Sequence, residues 1–79
     1  MQPKAYEEVV DLIANGPTPQ DIAAFEPSQE TRGRVWDLVE RKKAGDLSAE
    51  ESSELQHYLH LEHILRLTKA RARQHLRTS

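Results

Sequence analysis

The chain reads as all-α, with four helices over about 4–15, 19–25, 29–44 and 49–76, and three observations carry that reading. Apolar side chains recur at helical spacing in each long segment. Capping residues stand ahead of the last three segments. The stretch from Ala49 to Ser79 contains neither Gly nor Pro and is rich in Leu, Ala, Glu, Gln, Arg and Lys, the residues that propagate helices best.

From Pro3 to Asn15, the residues Tyr6, Val9, Val10 and Ile13 fall at i, i+3, i+4 and i+7, with Ala5 and Leu12 widening the apolar stripe. Asn15-Gly16 followed by Pro17 stops that helix. Thr18 then caps a short second helix, with Pro19 at its first position and Asp21 at its third. Glu26 precedes Pro27, so α-conformation ends there, and Ile22 and Phe25 are expected to close over the core as a lid. Ser28 caps the third segment, in which Val35, Trp36, Leu38 and Val39 predict a buried stripe with Trp36 as its anchor. Lys42 and Lys43 occupy its last turn and Gly45 is placed to turn left-handed. Gly45-Asp46-Leu47 is a tight connection, which predicts that helices three and four form an antiparallel hairpin.

The last segment organises the others. Ser48 and Glu51 have the capping-box spacing, and Glu50 and Glu51 sit at the positive end of the helix dipole. A helix from Ala49 to Leu76 would be roughly 42 Å long, whereas a compact chain of 79 residues is about 30 Å across. About two turns are therefore expected to protrude. On this helix Leu55, Tyr58, Leu59, Leu61 and Leu65 share a broad face, while Ile64 and Leu67 point away from it. The series Tyr58, Leu61, Leu65, Thr68, Ala72 is heptad-like but too short and too polar to establish a coiled coil.

Charge is divided along the chain. Arg66 to Ser79 holds five basic residues and no acid; Met1 to Leu65 holds six basic and thirteen acidic residues. Residues 66–79 thus form a basic helical arm, expected to protrude or fray, on a single domain spanning 1–79. Arg and Lys near a helix C-terminus also complement the dipole without any ligand. A chain this short has little core to set against conformational entropy, which favours a partner or a second copy.

Several function classes are excluded or disfavoured. Cysteine is absent, which removes disulfides, thiolate catalysis and thiolate zinc sites. The apolar runs are too short to span a membrane and the first residues lack a signal-peptide core, so a cytoplasmic protein is expected. His57, His60 and His63 step round the helix by about 60° each, too far for three imidazoles to meet one ion. Ser53 and His57 lie four apart, but no oxyanion donor or Gly-rich loop accompanies them. No phosphate-binding glycine motif occurs. No enzyme, cofactor or metal site is expected. For nucleic acid, Lys69, Arg71, Arg73 and Arg77 offer phosphate contacts, but no aromatic stands among them to stack a base.

Three stretches carry a resemblance: Pro19 to Ser28, with Ile22, Phe25 and Pro27-Ser28; Ala44 to Glu51; and Leu61 to Arg73. Together they resemble a group of short helical bacterial proteins, frequent in cyanobacteria. These are similar to antitoxin-like proteins encoded beside small nuclease toxins, including HNH-type ones. The likeness spans roughly Leu12 to Arg73 and rests on structural signatures. It implies a binding partner and no activity. The expected function is a small interaction module, antitoxin-like or adaptor, that binds and masks a protein partner through Ile64, Leu67, Arg66, Lys69, Arg71 and Arg73 by the helix-in-groove mode. The alternatives are a nucleic-acid-binding protein using the basic arm and a homodimerisation module.

Overall fold

The last helix, α4 (Ala49–Thr78), is the axis on which α1 (Glu7–Ala14), α2 (Pro19–Ala24) and α3 (Gln29–Lys43) are laid. The computed structural model describes residues 4–78 and the side chains of 4–77. The expectation placed on Met1 to Pro3, the missing signal-peptide core, lies outside the described residues, as does Ser79 of the arm. Among the described residues there is no strand, and no helix is long and apolar enough to cross a membrane.

Local chemistry sets the boundaries. Thr18 and Asp21 form a reciprocal capping box, each side chain accepting the other's backbone N–H at 3.1 Å. Ser48 and Glu51 do the same at 3.1 Å in both directions. The Ser28 hydroxyl accepts the Thr31 N–H at 3.2 Å. Helix α3 ends in a Schellman turn: Gly45 takes φ +72°, the Asp46 N–H reaches the Arg41 carbonyl at 2.8 Å, and the Gly45 N–H reaches Lys42 at 3.0 Å. Helix α1 has no side-chain cap and begins at Glu7, later than expected. The reason is tertiary: the Ala5 N–H donates to the Glu54 carboxylate at 2.9 Å, which holds the preceding residues as a turn against α4.

Helix α4 buries one continuous row. Glu54 and Tyr58 are buried, Leu61, Leu65 and Thr68 half-buried, and Ala72 buried again, with Leu55 alongside. These positions repeat every three or four residues and so follow one side of the helix. The heptad-like series of the sequence is therefore the inner stripe of the fold. Helix α3 and the turn leading into α1 are held against its first turns, at Glu51, Glu54 and His57, and α2 makes the most extensive helix contact of the molecule, against α4. The Phe25 carbonyl accepts a hydrogen bond from the Lys69 ammonium. The arm is thus covered on one side as far as Ala72, which shortens the expected overhang. Even so, α4 dictates the outline, 48 × 24 × 19 Å with a radius of gyration of 14.2 Å, against about 12 Å for a compact chain of this length.

The core is small, and two sequence expectations fail there. Among the described residues, Leu38 and Val9 are the largest side chains buried completely. Trp36, expected as the core anchor, is 68 % exposed. Trp36 and Leu38 are two residues apart, about 200° round the helix, so seating Leu38 turns Trp36 outward. In α1, Ala5 and Val9 form the buried row, and the neighbouring row leaves Val10 and Ile13 exposed. One helix face cannot press both rows onto a single α4. The lid expectation holds in weaker form, since Ile22 and Phe25 are half-buried.

Leu38→Ala is expected to cost about 3 kcal/mol of unfolding free energy, whereas Trp36→Ala changes it by less than about 0.5 kcal/mol. Urea denaturation of the two variants checks this, and equal losses would place Trp36 in the core after all.

Candidate functional site

Two ion-pair clamps hold α3 on α4. Arg34 donates to Glu54 through Nε at 3.1 Å and Nη2 at 2.9 Å, a bidentate fork. Glu54 is 5 % exposed and also accepts the Ala5 N–H, so one carboxylate ties α1, α3 and α4 together. Nearer the connection, Arg41 Nη2 donates to Glu51 at 2.8 Å and to the Asp46 carbonyl at 3.1 Å. Glu8 accepts the Ser28 N–H at 2.9 Å, which fixes the entry to α3 beside α1.

These contacts lower carboxylate pKa values. The Arg41 guanidinium, with help from the Ser48 N–H, holds Glu51 at about 2. Arg34 first, then the Ala5 N–H, keeps Glu54 below the ordinary range against the opposing effect of burial. The Ser28 backbone N–H does the same for Glu8. The cleft lined by Glu8, Ser28, Thr31 and Arg34 is therefore a seam of groups already bonded to one another.

On the flank of α4 beside its inner row, Ile64 and Leu67 stand exposed, Leu67 at 61 %. The Tyr6 ring meets His57 edge-on, centroids 5.6 Å apart, which locates the border between α1 and this face. Val10 and Ile13 continue from Tyr6 along the same edge of α1, one and two turns on, and Ile64 follows His57 by two turns on α4.

The six residues singled out in the sequence separate into two groups. Ile64, Leu67, Arg71 and Arg73 are exposed, and among the described residues the two arginines form no ion pair. Arg66 and Lys69 are engaged internally, Arg66 with Glu62 at 2.6 Å and Lys69 with the Phe25 carbonyl. Val10, Ile13 and Trp36 were missed as surface residues. The signal for the first two lay in the sequence, because Ala5-Val9 and Tyr6-Val10-Ile13 are separate helical rows of which only one can face α4. Among the described residues, no group of three or more His, Asp or Glu side chains is arranged to hold a metal ion.

The clamps set an acid-side stability limit. Groups whose native pKa is depressed contribute stability above the unfolded value of 4.5 and lose it as they are protonated in the native state. The midpoint of thermal unfolding is expected to be flat from pH 7 to about 5 and to fall steadily between about pH 4.5 and 2. Glu51→Gln should flatten that fall, and an unchanged slope would remove Glu51 from the account. Glu54→Ala leaves Arg34 and the Ala5 N–H without their partner and should cost about 3 kcal/mol, measured by urea denaturation at pH 7. Compared with protein-family models, curated proteins and solved structures, the chain has no match, so the functional argument rests on its own side chains.

Proposed function

We propose that this protein is a small helical interaction module, antitoxin-like or adaptor in kind and cytoplasmic, that binds and masks a protein partner through the outer face of its last helix. Its role on this reading is binding, with no reaction assigned to it. One observation carries the proposal: Ile64 and Leu67, on the longest helix, stay exposed beside Arg71 when the inner row is already filled. An apolar patch of this kind on so small a chain is the usual mark of a surface that another protein covers. Burying those two side chains contributes about 1–2 kcal/mol each, more than an exposed ion pair, which contributes about 0–1 kcal/mol. The apolar residues thus supply affinity, while Arg71 and Arg73 select a partner of matching charge.

The pairings Arg41–Glu51 and Arg34–Glu54 advance in opposite chain directions and support reading α3 and α4 as an antiparallel hairpin. That hairpin makes α4 a stiff presenting element. A second reading, nucleic-acid binding by the basic tip, is favoured by the exposure of Arg71, Arg73 and Arg77 on the last turns.

The test is co-purification with the product of the adjacent gene, with rescue of a growth defect as the cellular readout. Ile64→Asp with Leu67→Asp is expected to abolish binding while leaving the helical circular-dichroism signal intact. Arg71→Glu with Arg73→Glu should weaken binding and reduce its salt dependence. If the apolar pair of substitutions unfolds the isolated chain, those positions are core and the reading fails. Retardation of DNA or RNA at low salt, lost with Arg71→Glu and Arg73→Glu but not with Ile64→Asp, would favour the nucleic-acid reading instead.

A further inference from the structure

We infer that the exposed row of α4 carrying Ile64 and Leu67 receives an acidic amphipathic helix of another protein, with two apolar side chains at its middle and a carboxylate about 8 Å to either side of them. This rests on the reading of Ile64 and Leu67 as an interaction surface and states the chemistry of the partner.

His60, Ile64, Leu67 and Arg71 follow one another at intervals of four, three and four residues, the spacing that keeps a row of side chains on one side of a helix. All four are exposed. At the rise of an α-helix, His60 and Arg71 lie at equal distances, about 8 Å, before and after the midpoint of Ile64 and Leu67. The row is thus an apolar pair set between two nitrogen donors. Alternating steps of three and four are also what one helix presents to another lying along it. One turn before His60, the Tyr6 ring stands edge-on against His57, so the open stretch is bounded there by the turn leading into α1.

Charge fixes the class of occupant. Among the described residues, neither His60 nor Arg71 has a hydrogen-bond or ion-pair partner. From Leu55 onward the one acid of α4 is Glu62. It lies about 160° round the helix from Ile64 and is engaged by Arg66 at 2.6 Å. No carboxylate of this stretch therefore stands on the row to meet Arg71. A guanidinium offers a carboxylate a fork of donors, and an imidazole donates one hydrogen bond even when neutral. Both ends of the row suit a carboxylate, whereas a basic segment would bring like charge to Arg71. Complementarity of this kind selects a partner and sets its register.

The matching pattern on the occupant is acid, apolar, apolar, acid at i, i+4, i+7 and i+11, the intervals of the row itself. The helices of this chain hold that pattern once, at Glu51, Leu55, Tyr58 and Glu62. There Leu55 and Tyr58 are buried and Glu51 is taken by Arg41. A second copy cannot offer that segment without unfolding, so the occupant belongs to a different protein.

Selection on the full chain from a phage-displayed library of helical peptides, randomised along one face, tests this. Binders are expected to carry Asp or Glu at i and i+11 and large apolar residues at i+4 and i+7. The strongest, made as a free peptide, should bind about tenfold or more weakly to Arg71→Glu and regain affinity when its facing carboxylate is changed to Lys. His60→Glu should act in the same way through the other carboxylate. Both side chains are exposed, so circular dichroism should be unchanged. Binders that are basic or lack the spacing, an absence of binders, or affinity indifferent to Arg71→Glu overturn the inference. A wild type that dimerises in sedimentation equilibrium, and loses the dimer on Ile64→Asp, overturns it in favour of a second copy. The broader interaction reading fails separately, when Ile64→Asp with Leu67→Asp leaves binding to the adjacent-gene product intact. Loss of that binding where the library yields no acidic helix would leave the broader reading standing alone.

Discussion

The carboxylate of Glu54 is the point on which this fold depends. It lies almost fully buried on the inner row of α4, where an unpaired charge would be strongly destabilising. Two hydrogen bonds from the Arg34 guanidinium and one from the Ala5 N–H satisfy it. Such a cluster need not be more stabilising than apolar packing of the same volume. What it supplies is register, because only one placement of α1 and α3 on α4 brings a backbone amide and a guanidinium to the same carboxylate. Arg41 with Glu51 repeats the device one turn earlier on α4, next to the connection from α3. In a chain with no cysteine and few large side chains wholly buried, polar clamps take over the specification that a larger core would give.

A clamp on one side of a helix leaves the other side open. The row Glu54, Tyr58, Leu61, Leu65, Thr68, Ala72 receives three helices, and those helices are too few and too short to wrap α4. Surface-to-volume scaling makes this the ordinary condition of a chain of this length, which buries a smaller fraction of its surface than larger domains do. The open side is not polar throughout, as it would be on a helix meant only for water. It carries the exposed Ile64 and Leu67, and on α1 Val10 and Ile13 are exposed as well. The same geometry that builds the core therefore creates the proposed contact surface, and the two share one rod.

Charge has two separate tasks in the molecule. Arg34 and Arg41 are consumed in holding the fold. Arg66 and Lys69 brace α4 and α2. The arginines further along remain exposed, while Glu7 and Asp11 on α1 stay outside the clamps. The imbalance between an acidic body and a basic end is thus carried mainly by residues that do not support the core, which is where a charge pattern used for recognition would have to reside.

The four helices and most of their ends were legible in the sequence, because caps, prolines and glycines act within a few residues. The Thr18–Asp21, Ser28 and Ser48–Glu51 caps and the turns at Gly16 and Gly45 are all local chemistry. So was the outward direction of Ile64 and Leu67, which follows from angular position alone. Tertiary packing decided what periodicity left degenerate. Val9 and Val10 are equally apolar neighbours, and only the docking of Ala5 against Glu54 selects the row that is buried. Trp36 and Leu38 compete for one face of α3, and the smaller side chain takes it. Lys69 and Arg71 look alike in a basic run, yet only the first lies under α2. Local signals mark where helices begin and end; which side of each helix meets α4 depends on contacts between residues distant in the chain.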